Sequence, residues 1–290
     1  MHVCRGICRR LVRWLSIAAT GVLAAGCGRQ YVVLHPAGPV AASELHLIET
    51  ASIAMGVVIL FVLGLFAVTV VRFRERRDGS GPYAPAWNGS RRLEALLFAV
   101  PLLIVAFLAV PTVSQTFALD RLPPGRHDLV VDVTSFDYKW LFLYPRQRIA
   151  TVNYVDIPVH TPVLFELTAD SPMNTFWVPQ LGGMEYAMPG RVLPLYLEAG
   201  RSGAYAGRSA NFSGVGFAHM VFTVHALSPG RFGRWAAAVR RISPPLTMAG
   251  YRGLLAAGEA PRASFSSYPP EAFPRTSHGF TLQGGMYESR

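Results

Sequence analysis

Two long runs of apolar residues stand out first along the chain. Ala51–Val71 has 21 residues without a charge, and Ala95–Val113 has 19. An α-helix rises 1.5 Å per residue, so each run can cross a hydrocarbon core about 30 Å thick. Pro101 and Pro111 fall inside the second run, and neighbouring membrane helices can satisfy the carbonyls that a proline leaves free. The pattern predicts two spans, about 50–72 and 94–116.

After Leu129 the apolar positions shorten into runs rich in β-branched and aromatic residues. Turn clusters of proline and glycine separate these runs, and such spacing is typical of a β-sandwich or barrel. The predicted β runs are Val130–Thr134, Thr151–Val155, Val163–Leu167, Val192–Leu197 and Met220–Val224.

The pattern changes again at Pro229. Phe232–Arg241 predicts a short amphipathic helix and Leu246–Ala257 predicts another. The segment Ser264–Phe280 that follows is rich in proline, serine and aromatic residues. We therefore expect a small helical, aromatic-rich extension over 229–290.

The N-terminus has the form of a secretion signal. Residues 1–13 are basic, and the apolar run Leu15–Ala25 is too short to span a bilayer. Small residues lead directly to Cys27, as in a bacterial lipobox. This predicts removal of residues 1–26 and a covalent lipid on Cys27. The alternative is an ordinary signal sequence with an incidental cysteine.

Charge is distributed asymmetrically around the two predicted spans. The connecting loop carries six arginines, whereas the outer flanks carry few; these are Arg72, Arg74, Arg76, Arg77, Arg91 and Arg92. The positive-inside rule places this loop in the cytoplasm and both mature ends outside. A lipid on Cys27 requires the same orientation. We expect a multi-pass protein of the bacterial inner membrane, with its C-terminal domain in the periplasm.

Composition agrees with a membrane protein. The chain is 51% hydrophobic and only 15% charged, against about 25% charged in ordinary soluble proteins. The net charge of +10 comes largely from the flanks of the apolar runs, so nucleic-acid binding is not expected. The three cysteines, Cys4, Cys8 and Cys27, all precede the predicted β-domain, which leaves no disulfide framework and no thiolate metal site there.

The predicted β-domain offers no catalytic constellation. His160, His219 and His225 lack ligand spacing to a cysteine or a carboxylate, and we interpret them as structural. The glycines of Ser213–Gly216 join two β runs and precede no helix, so they predict a turn. Glu94 at the start of the second span is either an interfacial anchor or part of an ion pathway.

Three longer motifs carry a family resemblance. Asp137–Pro145 resembles the aromatic segment that opens the cupredoxin domain in subunit II of haem-copper respiratory oxidases. Ser171–Gly182, continued by Tyr186–Arg191, resembles the segment with the first copper ligand, and Ser209–Met220 resembles the loop with the remaining ligands. The resemblance implies a two-helix transmembrane hairpin followed by an all-β cupredoxin-like sandwich, and domains at 1–26, 27–120, 121–228 and 229–290.

Departures from the family pattern indicate the subtype. The dinuclear copper centre of cytochrome c oxidases uses thiolate, imidazole and thioether donors, which suit copper. At the matching positions this chain has Asn174, Ser209, Asn211, Ser213 and Phe217, and of the side-chain ligands only Met220 remains. The resemblance therefore implies a cupredoxin-like domain that binds no metal.

A subunit II without this centre resembles that of cytochrome bo-type ubiquinol oxidases, which take electrons from a membrane quinol. The resemblance implies partners in subunit I, which carries haems and a copper, and in subunits III and IV, together with membrane lipid. This chain would then bind no cofactor of its own besides the lipid on Cys27. We expect Trp177, Phe212 and Phe217 to fill the vacated site as a hydrophobic plug.

The segment Arg92–Glu94, followed by Val100–Pro101, resembles the start of the second span in these subunits. The glutamate of that motif lies at the mouth of a proton channel that passes a lysine of subunit I, which implies proton entry at Glu94 beside a structural and assembly role.

Two alternatives stay open, namely an oxidase subunit that uses menaquinol or another donor, and a membrane-tethered periplasmic binding module. The missing ligands exclude a cupredoxin electron carrier.

Overall fold

The structure, a computed structural model, describes residues 31–74, 89–119, 129–170 and 172–273. The predicted signal, Cys27, Arg76, Arg77 and the tail after Phe273 lie outside the described residues. The chain forms two compact units, and the first ends at His35. Its described part holds one 3-10 turn, Val32–Leu34. All further elements belong to the second unit.

Two long helices open the second unit. Helix α1 covers Pro39–Arg72 and helix α2 covers Arg91–Leu119. Both are long and apolar enough to cross a membrane, and among their described side chains only Ala41 is buried. Pro101 and Pro111 lie inside α2, as predicted. The two apolar helices expected from the sequence are confirmed.

Helix α1 begins eleven residues before the predicted span. Pro39 occupies its first turn, where a missing N–H costs nothing. The chain just before the helix docks on the β-domain, since the Ala37 N–H donates to the Gln180 carbonyl at 2.7 Å and the Gly200 N–H donates to the Ala37 carbonyl at 2.7 Å. A side chain at Gly38 would lie 2.1 Å from the Glu198 carbonyl oxygen, so this close approach requires glycine.

The β-domain is a sandwich of two sheets. One sheet has the strand order β11-β3-β2-β1-β5-β8, and the other has the order β4-β10-β9-β6-β7. The pairs β1–β5 and β4–β10 are parallel, and the remaining pairs are antiparallel. The strands are β1 Leu129–Phe136, β2 Lys139–Tyr144, β3 Ile149–Val152, β4 Tyr154–Pro158, β5 Val163–Ala169, β6 Asn174–Trp177, β7 Met184–Ala187, β8 Leu193–Leu197, β9 Gly203–Ser209, β10 Val221–Leu227 and β11 Ala263–Phe265.

The run Thr151–Val155, predicted as one strand, forms parts of two. Asn153 has a φ of 58° and turns the chain from β3 in one sheet to β4 in the other. Its Oδ1 accepts from the Trp140 N–H at 2.9 Å, and its Nδ2 donates to the Ala260 carbonyl at 2.7 Å. Asparagine tolerates the left-handed region better than most residues, so this one side chain both makes the corner and fixes it.

Aromatic side chains fill the space between the sheets. The rings of Phe176 and Phe222 stack at 4.7 Å between centroids, and Trp140 meets both of them edge-on at 5.4 and 5.5 Å. Phe142 and Phe165 complete the group, and all five side chains are buried. Because successive residues of a strand point to opposite faces, Trp140 and Phe142 face this core while Leu141 and Leu143 face away from it.

The C-terminal extension packs on both the main core and that other face. Helix α3, Pro229–Ile242, packs Phe232 and Val239 on the main core, and helix α4, Met248–Leu255, lies over a second core that includes Leu141 and Leu143. Strand β11, which the sequence did not predict, pairs with β3. The predicted helices are present, and the extension as far as Phe273 is part of the folded domain.

Lys139 of β2 makes a hydrogen bond to the C-terminal extension. Its Nζ donates to the Ala256 carbonyl at 2.6 Å, just past the end of α4, where a cation is favoured by the helix dipole. Burial lowers the pKa of the Lys139 ammonium below its ordinary value, and the nearby Asp137 carboxylate opposes that change.

Candidate functional site

The residues singled out within the predicted β-domain as matches to copper-ligand positions gather at one end of the sandwich. Asn174 begins β6, Ser209 ends β9, and the loop 210–220 connects β9 to β10. Inward-facing positions alternate along β9, and Ser209 occupies one of them. Asn174, Ser209 and Met220 are all buried. Two neighbouring strands therefore bring an amide and a hydroxyl together at the edge of the aromatic core.

Asn174 is the centre of a neutral hydrogen-bond network. Its Nδ2 donates to the Ser135 Oγ at 2.9 Å and to the Pro172 carbonyl at 3.2 Å. Its Oδ1 accepts from the Ser209 Oγ at 3.3 Å. An amide has two donor hydrogens and one acceptor oxygen, so the whole side chain is satisfied. The Ser209 Oγ also accepts from the Thr175 N–H at 3.5 Å.

The expected hydrophobic plug is wrong. Phe212 is 75% exposed, and Trp177 and Phe217 are only partly buried. Phe212 and Phe217 contact each other edge-on at 5.8 Å, on the outside of the loop. The space at the end of the sandwich belongs instead to the Asn174 network and, beneath it, to the buried Phe176 and Met220.

The ring of Tyr138 lies under the loop 210–220 and explains why Phe212 and Phe217 do not enter the sandwich. A side chain at Gly216 would lie 2.5 Å from the Tyr138 ring, and one at Gly214, where φ is 127°, would lie 2.5 Å from its hydroxyl oxygen. The loop passes so closely over this ring that only glycine fits. Phe212 and Phe217 then have no inward space to fill.

The donors at this end of the sandwich do not fit a copper centre. They are an amide and hydroxyls with one thioether, whereas copper sites in proteins are built from thiolate and imidazole. The Ser213 Oγ is buried without a hydrogen-bond partner, but a single hydroxyl is not a ligand set. Within the described ranges, no three His, Cys, Asp or Glu side chains converge to hold a metal ion.

Two of the three histidines contact carboxylates that are distant in sequence. His225 Nδ1 lies 2.8 Å from Asp156 Oδ1, and His219 Nδ1 lies 3.0 Å from Glu259 Oε1 at an exposed position. Burial raises the pKa of the Asp156 carboxyl, and its hydrogen bond to His225 opposes the rise. His160 sits in a turn with a φ of 53°. Local spacing could not reveal these pairs because the partners lie 69 and 40 residues apart.

The comparisons with known proteins agree with this architecture. Residues 131–227 match the family described as Cytochrome C oxidase subunit II, periplasmic domain. The chain is 42% identical over 246 residues to the Quinol oxidase subunit 2 of Bacillus cereus, and the match covers 84% of each chain. It is 39% identical over 260 residues to the Ubiquinol oxidase subunit 2 of Acetobacter aceti, covering 88% of this chain and 84% of the relative.

A third relative, the Cytochrome bo(3) ubiquinol oxidase subunit 2 of Pseudomonas aeruginosa, is 37% identical over 266 residues, covering 90% of this chain and 79% of its own length. The chain belongs to the quinol oxidase subunit 2 family. It is thus a membrane-anchored component of an oxidoreductase complex of the haem-copper class. Its β-domain is a cupredoxin-like sandwich, as the sequence resemblance implied.

In this quinol oxidase subunit, Glu94 lies apart from the network. It occupies the first turn of α2, and its side chain is exposed. A carboxylate is favoured there because the first turn of a helix carries partial positive charge. Its backbone N–H donates to the Ser90 carbonyl at 2.9 Å. Helix α2 thus presents a carboxylate at the end opposite Gln115.

The sequence did not reveal the roles of Ser135 and Tyr138. Ser135 accepts a hydrogen bond from Asn174, and the Tyr138 ring packs under the loop 210–220. Ser135 lies 39 residues before Asn174, and no local motif connects them. Ser135 lies on β1 and Asn174 on β6, so only the packing of one sheet on the other brings the two side chains together.

Replacing Asn174 with leucine should destabilise the domain by about 1–3 kcal/mol, because the buried Ser135 hydroxyl loses its donor and the Ser209 hydroxyl keeps only the Asn211 carbonyl as an acceptor. Asn211→Ala is the matched control, since the Asn211 side chain makes one exposed bond, to the Met173 carbonyl at 3.2 Å; we expect a loss of about 1 kcal/mol or less. Denaturant unfolding of the purified subunit, followed by tryptophan fluorescence, measures both. Equal losses in the two variants would show that the network contributes no special stability.

Proposed function

We propose that this chain is the subunit II of a proton-pumping terminal oxidase that oxidises ubiquinol and reduces oxygen to water. The observation that carries the proposal is the neutral network around Asn174 at the end of a cupredoxin-like sandwich. A domain with these donors has no group that can take up an electron. The electrons of the quinol then enter the complex through another chain.

The six positions Asn174, Ser209, Asn211, Ser213, Phe217 and Met220 are, in this proposal, remnants of copper-ligand positions. Their placement supports this, because Asn174 and Ser209 are hydrogen-bonded to each other and Met220 is buried beneath them. The haems and the copper of the enzyme belong to subunit I. This chain contributes no redox centre and serves structure and assembly.

Partner subunits are supported by the surface of the hairpin. Large apolar side chains lie exposed along both helices, among them Phe66, Phe98 and Val110. A surface of this kind needs lipid or protein to cover it. We infer that subunits I, III and IV and membrane lipid provide that cover. A tethered binding module that acts alone would need lipid only.

We propose ubiquinol as the electron donor because the relatives from Acetobacter aceti and Pseudomonas aeruginosa are named for it. The relative from Bacillus cereus is named only for quinol, so menaquinol is the second candidate.

Oxygen consumption by the purified complex tests the donor. Reduced ubiquinol, reduced menaquinol and reduced cytochrome c are supplied in turn under the same conditions. We expect the fastest turnover with ubiquinol and none above background with cytochrome c, because no set of copper ligands converges in the described part of the outer domain. Turnover with cytochrome c at a rate comparable to that with quinol would contradict the proposal.

We also propose that Cys27 is the lipid-modified N-terminus of the mature chain and that the connecting loop is cytoplasmic. The small residues before Cys27 and the six arginines around the loop support this. The intact mass of the native subunit should lack residues 1–26 and include an acyl-glycerol. A chain that retains Met1, or an unmodified Cys27, would contradict the lipid anchor.

Glu94 is the candidate for proton entry from the cytoplasm. It is exposed at the loop end of α2, where a carboxylate can exchange protons with water. Glu94→Gln keeps the size of the side chain but cannot carry a proton, so turnover should fall about tenfold or more while haem content stays normal. Glu271→Gln, an exposed carboxylate of the outer domain, is the control and should not change the rate.

Oxygen reduction by both variants is measured across pH in the assembled complex. If the Glu94→Gln enzyme turns over at the parental rate at every pH, Glu94 is an interfacial anchor only.

A further inference from the structure

A cleft of about 540 Å³ separates α1 from α2 near the end of the hairpin that carries the sandwich. Pockets of about 300–1,000 Å³ are typical of small-molecule sites. His46 and Thr50 line it from α1, and Phe107, Pro111 and Gln115 line it from α2. The cleft is therefore large enough for a ring with polar substituents, and it combines apolar walls with a few polar groups.

One acceptor in this cleft lacks a donor, and the proline of α2 frees a second acceptor beside it. The Gln115 Oε1 is buried and has no hydrogen-bond partner. Pro111 has no N–H, so the Phe107 carbonyl four residues earlier loses its partner in the helix ladder. The Thr50 hydroxyl cannot serve them, because it donates to the His46 carbonyl at 2.8 Å. A ligand that donates hydrogen bonds would satisfy both acceptors.

Surrounding groups restrict the class of ligand. Phe107 and Val110 are 64% and 72% exposed, so the cleft opens toward the apolar surface of the hairpin and accepts an apolar tail. The charged residues on nearby turns of α1 are Glu44 and Glu49, and α1 has no lysine or arginine before Arg72. This environment disfavours the phosphate of a phospholipid and favours an uncharged head group.

Helix length places the cleft at the depth of a head group. The 34 residues of α1 extend about 51 Å, about 20 Å more than a hydrocarbon core. His46 and Thr50 lie in the first four turns, so they fall near the boundary between the membrane and water.

We propose that this cleft binds a membrane quinol, whose two ring hydroxyls donate to the Gln115 Oε1 and the Phe107 carbonyl. The inference rests on the proposed function, which makes quinol the substrate of the complex, and it adds a site on this chain. Oxidation removes two electrons and two protons from the ring and leaves only acceptors. The cleft therefore selects the reduced form over the quinone.

The first experiment measures the affinity and stoichiometry of quinol binding to the purified complex after bound lipid and quinone have been removed. Ubiquinol and ubiquinone are titrated separately into the wild-type complex, Gln115→Leu and Thr116→Val. Thr116 is the matched control, because its exposed hydroxyl already donates to the Thr112 carbonyl at 2.9 Å.

The wild-type and Thr116→Val complexes should each bind ubiquinol more tightly than ubiquinone at this site. Gln115→Leu should weaken ubiquinol binding about three- to tenfold, the effect of one lost hydrogen bond, and leave ubiquinone binding unchanged. Equal ubiquinol binding by all three complexes would overturn the proposal.

A second experiment does not depend on a variant of Gln115. A photo-crosslinking benzophenone residue replaces Val110, which lines the cleft and is exposed. Irradiation with ubiquinol present should add the mass of the quinol to this chain. A crosslink to a phospholipid, or to a helix of a partner subunit, would show another occupant and overturn the proposal.

Turnover of the wild-type complex separates this inference from the proposed function. A complex that oxidises ubiquinol normally while the cleft stays empty contradicts only the site on this chain. A complex that oxidises cytochrome c and not quinol contradicts the proposed function itself.

Discussion

The hydrogen bonds of the Asn174 amide close the end of the sandwich where β6, β9 and β1 meet. A buried polar side chain is costly unless every donor and acceptor is satisfied, and here Ser135, Pro172 and Ser209 satisfy all of them. Metal binding can supply folding free energy to a domain. In this chain neutral hydrogen bonds connect β6 with β1 and β9. The stability of this end of the sandwich therefore depends on the position of each partner.

The same end of the domain depends on close packing around Tyr138. Gly214 and Gly216 let the loop pass over its ring, and the loop then carries Phe212 and Phe217 on its outer side. On the far side of the six-stranded sheet, the C-terminal extension buries Leu141 and Leu143. Both faces of that sheet are therefore covered within one chain, which explains why β2 reads as a continuous apolar run.

Much of this architecture could be predicted from the sequence, because long apolar runs and β-branched runs report burial directly. The helices α1 and α2 and the strands β1, β5, β8 and β10 were predicted in this way. Strand β9 was not predicted because Gly203–Ser209 is rich in glycine and alanine, which are uncommon in strands. Gly207 lies against the Phe222 ring, so a small residue is required where a β-former would be expected. The hydrophobic plug was wrong because sequence alone does not reveal the ring of Tyr138 beneath the loop.

Whether the folded outer domain needs a metal can be measured directly. Purified subunit II is unfolded in denaturant with added copper, with a chelator, and without either, and its near-infrared absorption is recorded. We expect identical unfolding midpoints, no bound copper and no near-infrared band, because hydrogen bonds of Asn174 with Ser135 and Ser209 hold this end of the domain together. Copper that stays bound to this subunit with a near-infrared band, or a midpoint that falls when a chelator is added, would contradict it.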